Sequence, residues 1–254
     1  MILHLSDLHF GTEKQECIEA IRKFCEKNSP EAIVVSGDLT QRAGLKQFKD
    51  CKAFLESLNA PYLVVPGNHD IPLYNIWSRF LNPFKKFQSY FGSLNPVLET
   101  EHFYILGLNS IRPRYHTKGY ISLDQIQDVD AQLANVSSDK VKLIAVHQPF
   151  YAPEDDESVN DCPVLGVLAL KRWGQRGLYG LLHGHLHQSA VYDLNLIYEL
   201  GLIQPLLDIH AGTATSYRLH DGLPNSFNVI QQDGDVQPYF FDEKQKLFIS
   251  LRPN

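Results

Sequence analysis

Short apolar runs in this chain are followed directly by Asp, Asn or His, and this pairing occurs five times along the sequence. The polar groups are Asp7-Leu8-His9, Gly37-Asp38, Gly67-Asn68-His69-Asp70, His147 and Gly184-His185-Leu186-His187. Carboxylate and amide oxygens and imidazole nitrogens are the ligands that hard and borderline divalent metals prefer. There are more donors than one ion needs, so the sequence predicts a site for two metal ions.

Helical and strand-like segments alternate in the first part of the chain. Apolar residues recur every three to four positions around Cys17, Ile21 and Phe24, and again over 48–58. This period predicts two amphipathic helices. The continuous apolar runs that frame them are residues 2–5, 33–35 and 62–65. The order predicts a βαβαβ unit whose sheet is covered on both faces.

The metal-type side chains lie at the ends of the predicted strands. Asp7, Asp38 and Asn68 follow the first three strands, His147 follows the run 141–146, and His185 follows 181–182. Ligands of open α/β sheets gather beyond the carboxyl ends of the strands. We therefore expect five loops to bring these donors to one edge of the sheet.

The last part of the chain has a different pattern. From about residue 191 onward, short apolar runs are separated by Gly, Asp, Asn and Pro. The runs are 191–192, 206–209, 227–231 and 247–251. They predict a second, largely antiparallel sheet.

Charge and cysteine content limit the function classes. Lys and Arg number 23 against 29 Asp and Glu, a net charge of −6, so no stable nucleic-acid partner is expected. The four cysteines show neither a CxxC pair nor disulfide-scaffold spacing, which favours a reduced, cytoplasmic protein. The chain shows no signal-peptide pattern and no apolar run near the roughly 20 residues that span a bilayer, so no membrane span is expected.

The five polar blocks resemble the motifs of the calcineurin-like metallophosphoesterases: D-x-H, G-D, G-N-H-D or G-N-H-E, a single H, and G-H-x-H. The match runs from Asp7 to His187. The resemblance implies an α/β fold in which two packed mixed β-sheets are flanked by helices, a four-layer sandwich. It further implies a single domain over residues 1–254, with 191–254 mostly contributing the second sheet. The stretches LHLSDLHFG and VVPGNHD are most similar to class III cyclic nucleotide phosphodiesterases.

The resemblance also implies a role for each motif residue. Two sets of three ligands would share a bridging carboxylate from Asp38, and they are Asp7, His9 and His187 on one ion and Asn68, His147 and His185 on the other. His69 would be a catalytic residue near the leaving-group oxygen, and Asp70 would hold its ring. Mn, Fe and Zn all suit such ligands, so the identity of the two divalent ions stays open.

Candidate substrate-binding residues are those that lie in the motifs or close to them in the sequence. Asn68 and His69 lie in the central motif, and Arg42 follows Asp38 closely enough to touch a substrate phosphate, although a surface salt bridge explains Arg42 equally well. Asn109 follows the strand 104–108 and could reach the metal edge. The acidic run 154–157 could ring the mouth of the site, with a solvated loop as the default interpretation.

Several other segments have a structural interpretation beside a functional one. For His183, packing behind the ligands is favoured over ligation. The aromatic segment 76–91 is interpreted as a core-packing face rather than a lid, and 210–216 as a segment packed under the site. Four further histidines are expected to be structural or exposed: His4, His102, His116 and His220.

These features predict a hydrolase that cleaves small phosphodiesters such as cyclic nucleotides by attack of a metal-bound hydroxide. Two alternatives stay open within enzymes of this kind, a nuclease and a nucleotide-lipid pyrophosphate hydrolase. The acidic balance argues against the first, and the lack of an evident membrane-surface helix argues against the second. A non-catalytic scaffold is disfavoured because no ligand is missing.

Overall fold

The computed structural model describes residues 1–153 and 157–250, and in this part of the chain twelve strands form two six-stranded sheets. The first sheet has the spatial order β12 (Leu247–Ser250), β11 (Val236–Asp242), β10 (Ser226–Ile230), β1 (Ile2–Leu5), β2 (Ala32–Val35) and β3 (Tyr62–Val64). The second has the order β4 (Val97–Glu99), β5 (Phe103–Gly107), β6 (Val141–Ala145), β7 (Leu178–His183), β9 (Leu207–His210) and β8 (Ala190–Asp193).

Seven α-helices accompany these strands in the described residues. They are α1 (Gln15–Asn28), α2 (Leu45–Glu56), α3 (Ile76–Leu81), α4 (Lys85–Phe91), α5 (Leu123–Ala134), α6 (Gly166–Gly174) and α7 (Leu194–Ile197). α1 and α2 pack on the first sheet, where Ile21 and Phe48 share a buried cluster with Leu5. α5 and α6 pack on the second, where Trp173 shares a cluster with Leu181.

A third apolar cluster lies between the two sheets. Ile2 and Val34 of the first sheet are buried there with Leu143 and Ile209 of the second. The layers are therefore helix, sheet, sheet and helix, which confirms the predicted α/β sandwich. Because each sheet is covered on both faces, its central strands are buried along their length and read as continuous apolar runs.

The βαβαβ prediction is confirmed, since β1, β2 and β3 pair in parallel. The polar loops, however, do not share one sheet. Those after β1, β2 and β3 belong to the first sheet, and those after β6 and β7 belong to the second. The two packed sheets thus present the carboxyl ends of five strands to a common site.

The prediction that residues 191–254 mostly contribute the second sheet is wrong. In this region β8 and β9 join the second sheet, whereas β10, β11 and β12 extend the first. The reason is the open edge of β1, which pairs antiparallel with β10 so that Leu3 faces Val229. Burial of Phe227 and Val229 in the cluster under α1 accompanies this pairing.

The aromatic segment 76–91 is divided into two helices around Pro83. α4 packs as predicted, with Phe87 buried against Phe48. α3 does not, because Trp77 is 78% exposed and Phe80 is 56% exposed. Among the described residues, no helix combines the length and apolar character needed to cross a bilayer.

Candidate metal centre

The loops that carry the predicted ligands have an unusual backbone. Five of these residues, none of them glycine, have φ between 46° and 67°: Asp7, His9, Asp38, His185 and His187. Residues other than glycine rarely adopt this left-handed backbone conformation, and the backbone strain persists only where the surrounding structure enforces it. The fold therefore holds these donors in costly conformations that direct them to one place.

Asp7, His9 and His187 form the first group of donors. His187 Nε2 lies 3.1 Å from Asp7 Oδ1 and 3.2 Å from His9 Nε2. Asp7 Oδ2 accepts hydrogen bonds from Ser6 Oγ at 2.6 Å and His185 N at 3.0 Å. Asp7 Oδ1 is buried without a hydrogen-bond partner. A cation between this oxygen and the two imidazoles would satisfy it.

His147 and Asn68 form the second group. His147 Nδ1 is 2.9 Å from the Ser36 carbonyl oxygen, which can only accept, so Nδ1 carries the hydrogen. In the neutral ring Nε2 then has a lone pair, yet it lies 2.9 Å from Asn68 Oδ1. Burial lowers the pKa of His147, which favours that neutral ring. The geometry suits a metal ion between the nitrogen and the amide oxygen.

Asp38 lies between the two groups and is almost fully buried. Its Oδ2 is 3.7 Å from His9 Nε2, and its Oδ1 is 3.4 Å from His147 Nε2. Each carboxylate oxygen therefore faces a different set of imidazoles. This arrangement is the one that a carboxylate bridging two metal ions requires.

The charge states of these groups favour metal binding. Burial lowers the pKa of His9 to about 4, against the opposing charges of Asp38 and Asp7. Burial raises the pKa of Asp7 and Asp38, but nearby imidazoles, chiefly His187 for Asp7 and His147 for Asp38, hold it below the ordinary value. Ionised carboxylates and neutral imidazoles are the forms that ligate metals. His187 is the exception, since burial lowers its pKa but the charge of Asp7 raises it above the ordinary value, so this ring would release a proton on binding a metal.

Two motif glycines are required by close approach. A Cβ on Gly67 would overlap the carboxylate of Asp38, and a Cβ on Gly184 would overlap Ser6 and Asp7. The loops after β2 and β3, and those after β1 and β7 from the two sheets, therefore meet at distances that only glycine permits. The G-N-H-D and G-H-x-H spacing follows from this contact.

His185 is held by an acidic residue that the sequence interpretation missed. Its Nε2 lies 2.8 Å from Asp161 Oδ2, and its ring centroid lies 5.1 Å from that of His147. Thr117 Oγ1 donates to the other oxygen of Asp161 at 2.6 Å. Because Nε2 donates to a carboxylate, Nδ1 is the nitrogen that would face a metal.

We expect Asp161→Ala to weaken metal binding at the His185 site by about 10- to 100-fold, the usual effect of losing the carboxylate partner of a ligand. Metal titration with a competing chelator measures this affinity. Asp128→Ala, which removes an exposed carboxylate from α5, is the control. Unchanged affinity of Asp161→Ala for both ions would contradict the role.

His69 and Asp70 differ from expectation in their relation to each other. His69 Nδ1 bonds to the Gln41 carbonyl at 2.9 Å. The Asp70 carboxylate instead accepts from Thr40 N and Thr40 Oγ1, both at 2.9 Å, and from Leu39 N at 3.0 Å. The prediction that Asp70 holds the His69 ring is therefore wrong. The 3-10 turn Asn68–Asp70 directs Asp70 beneath the loop that carries Asp38.

His69 has the position of a substrate-facing group. Its Nε2 lies 4.0 Å from Asp38 Oδ2, and its side chain is 27% exposed, whereas that of Asp38 is 2% exposed. The backbone N–H of His69 donates to Asp38 Oδ1 at 2.8 Å. The bridging carboxylate thus fixes the backbone of His69, while Gln41 orients its ring.

The segment 210–216 packs under the site, in agreement with its interpretation. Thr213 Oγ1 donates to the Asp7 carbonyl and Thr215 Oγ1 to the Leu8 carbonyl, both at 2.6 Å. Ala214 N donates to the Ser6 carbonyl at 3.0 Å. These hydroxyls satisfy backbone groups of the strained loop after β1.

Two cavities open on the site. The one beside His69 has a volume of about 250 Å³ and is lined by Gln41, Arg42, Asn68, His69, Ile71, Leu73, His116 and Thr117. The other is lined by Thr117, Ser158, Asn160, Asp161, His185, Leu186 and His220. His116 and His220, expected to be structural or exposed, thus border the candidate site.

The other candidates lie elsewhere. Arg42 Nη1 donates to Tyr74 Oη at 2.6 Å, at the rim of the His69 cavity. Asn109 lines neither cavity, and its Oδ1 accepts from Ile111 N at 2.9 Å, so we do not propose it for substrate binding. The acidic residues Glu154, Asp155 and Asp156 lie outside the described residues, as does the side chain of Glu157.

The chain is similar to known proteins in sequence. Residues 1–189 match the model of the calcineurin-like phosphoesterase family. A probable cyclic nucleotide phosphodiesterase from Synechococcus sp. is 26% identical over 79% of this chain and 78% of its own. A probable glycerophosphodiester phosphodiesterase, GpdQ, from Arcobacter nitrofigilis is 28% identical over 87% of this chain and 77% of its own.

The fold is also similar to solved structures. A purple acid phosphatase from yellow lupin superposes with a TM-score of 0.69 at 12% identity, covering 98% of this chain and 52% of the lupin chain. A dimetal phosphatase from Danio rerio superposes with a TM-score of 0.61 at 12% identity, covering 95% of this chain and 92% of its own.

Proposed function

The chain belongs to the calcineurin-like phosphoesterase family, whose model spans most of its length, and we propose that this phosphoesterase uses two divalent metal ions to hydrolyse small phosphodiesters such as cyclic nucleotides. The observation that supports two ions best is the placement of Asp38, whose two oxygens face different imidazole groups. Bound there, the ions would supply Lewis acidity toward phosphoryl oxygens and an activated water.

The proposed ligands are the two sets around Asp38. They are Asp7, His9 and His187 on one side and Asn68, His147 and His185 on the other. The neutral amide of Asn68 adds no negative charge, so the centre stays attractive to an anionic phosphodiester. We propose Mn, Fe or Zn as the metal, because each suits imidazole and carboxylate ligands.

His69 would complete the reaction on the leaving-group side. Because Gln41 accepts from Nδ1, the proton that stabilises a departing oxygen would be held at Nε2, the ring atom nearer Asp38. Asn68 and Arg42 line the same cavity and would orient the phosphate.

The size and charge of the site favour small substrates. The cavity beside His69 is about 250 Å³, and the chain carries a net charge of −6 that repels long polyanions. The Synechococcus relative has the name of a cyclic nucleotide phosphodiesterase and the Arcobacter relative that of a glycerophosphodiester phosphodiesterase. Both names describe enzymes of small diesters, which supports the proposal.

We expect small diesters to be hydrolysed with a kcat/KM at least about tenfold above that for polynucleotides, since the net negative charge of the chain reduces encounter with a long polyanion by about this order. The test loads one preparation separately with Mn, Fe and Zn. Each is assayed on cyclic nucleotides, glycerophosphodiesters, a chromogenic diester, its matching monoester and single-stranded DNA. Preferred hydrolysis of DNA would instead support the nuclease alternative.

A second candidate function is supported by α3. Trp77, Ile76 and Tyr74 are exposed next to Leu73, which lines the cavity of His69. An exposed apolar and aromatic surface that continues along the chain from the cavity-lining Leu73 suits a substrate with an acyl chain. The expected absence of such a helix no longer argues against a nucleotide-lipid pyrophosphate hydrolase. Adding a detergent-solubilised nucleotide-lipid pyrophosphate to the panel, with the chain-free analogue as its control, separates the two functions.

A further inference from the structure

Two histidines and an aspartate form a buried group on the second sheet, outside the site described above. His183 of β7 and His210 of β9 are register partners, and Asp208, two residues before His210, shares its face of the sheet. All three side chains are essentially inaccessible to solvent. We propose that His183, Asp208 and His210 bind a further divalent metal ion, separate from the dinuclear centre.

The hydrogen bonds of His183 support this proposal. Its Nδ1 lies 3.3 Å from the Gly184 carbonyl oxygen, which can only accept, so Nδ1 carries the hydrogen. Nε2 of the neutral ring then has a lone pair, and Asp208 Oδ1 lies 3.1 Å from it. Neither of these two buried atoms has a hydrogen-bond partner. A cation bound to both atoms would satisfy them.

The spacing of the donors fits one small ion. Asp208 Oδ2 is 3.2 Å from His210 Nε2, and one donor atom from each of the three residues lies within 4.8 Å of the others. Ligands at about 2.0 to 2.2 Å around a tetrahedral ion stand about 3.3 to 3.6 Å apart. The observed nitrogen–oxygen distances are within a few tenths of an ångström of that spacing.

The group shares a rare feature with the candidate metal centre. Among the described residues, buried side-chain polar atoms without a partner are Asp7 Oδ1, His9 Nδ1, His183 Nε2, Asp208 Oδ1 and Asn225 Oδ1. Four of these five atoms belong to the two His/Asp groups. Unsatisfied buried polar atoms are few in folded proteins, and Asp7 Oδ1, His183 Nε2 and Asp208 Oδ1 each lie beside another possible ligand atom of their own group.

The charge of Asp208 supports the same inference. In the described part of the chain its ion-pair contacts are to the two histidines, and no Lys or Arg contributes. A buried carboxylate is costly without a cation. Since β7 leads directly into the loop of His185, an ion here would also brace β7 against β9 behind the second ligand set.

Zinc is the probe for the test, because two imidazoles and a carboxylate suit it. Crystals of the zinc-loaded, unsubstituted chain are measured above and below the zinc absorption edge. The proposal expects an anomalous peak about 2.0 to 2.2 Å from both Nε2 atoms and an Asp208 oxygen. Peaks at the dinuclear centre with none here would overturn it. This measurement does not depend on the folding of a variant.

Zinc content in solution provides a second test. The unsubstituted chain should hold three zinc ions and Asp208→Asn two, with the dinuclear centre retained in both. Asp130→Asn is the matched control, since Asp130 is a buried carboxylate paired with Arg172 and Arg176 instead of histidines. Equal zinc content of the unsubstituted chain and Asp208→Asn would contradict the site. A failure of the proposed phosphodiesterase activity would leave this outcome unaffected.

Discussion

Replacing Asp38 with Ala is expected to lower the metal content by two ions per chain and to reduce kcat/KM for phosphodiesters by about 10³- to 10⁵-fold. The carboxylate of Asp38 faces both proposed ligand sets, with Oδ2 3.7 Å from His9 Nε2 and Oδ1 3.4 Å from His147 Nε2. Its removal also leaves His69 N without its acceptor. Losing two ions removes several kcal/mol of transition-state stabilisation, and each 1.36 kcal/mol is a factor of ten.

Elemental analysis and initial rates on the same preparation measure both effects. Asp130→Asn is again the control, because it alters a buried carboxylate of α5 that contacts Arg172 and Arg176 instead of the proposed ligands. The metal content of Asp38→Ala is compared with that of the unsubstituted chain. Any ion bound by His183, Asp208 and His210 is present in both and does not affect the difference. A decrease of one ion or less in Asp38→Ala would contradict the bridging role.

The fold near the site was largely predictable because its strands are buried on both faces. Continuous apolar runs flanked by helical periods identify β1, β2 and β3 and place Asp7, Asp38 and Asn68 at their ends. The assignment of 191–254 failed for a physical reason. Short runs show that strands exist but not which open edge they pair with, and that choice depends on the free side of β1.

Adjacency in the sequence was a poor guide to side-chain contacts at the site. Asp70 follows His69 directly, yet the 3-10 turn directs its carboxylate to Leu39 and Thr40 instead of the imidazole. The reverse holds for Asp161, which is 24 residues from His185 and contacts it at 2.8 Å. No spacing rule connects that pair, because the contact depends on where the fold places the end of the 3-10 turn Glu157–Asp161.

For helix α3, amino-acid composition did not predict which side chains are buried. Tyr, Trp and Phe favour burial on average, which predicts a core-packing face for 76–91. Arg79 instead occupies the buried side of α3, where it donates to the carbonyls of Pro72 and Pro113 at 3.0 and 2.9 Å. The apolar side chains of the helix are therefore turned outward, toward solvent.

His69→Ala is expected to separate chemistry from metal binding. If His69 acts on the departing oxygen, the variant should keep the full metal content while kcat falls by about 10²- to 10⁴-fold, the usual contribution of a positioned acid. Its backbone bond to Asp38 would survive, since the donor is the main-chain N–H. The close ring contact with His9, with centroids 4.9 Å apart, makes ligation by His69 the competing interpretation.

The leaving group provides the decisive comparison. A nitrophenolate departs with little protonation, whereas the alkoxide of a cyclic nucleotide needs a proton, so the loss in His69→Ala should be smaller for the nitrophenyl diester. His116→Ala, which removes another imidazole from the same cavity, is the matched control and should show no such difference. Loss of a metal ion from His69→Ala would assign His69 to the ligands. Equal loss on both substrates would mean that the ring positions the substrate without protonating the leaving oxygen.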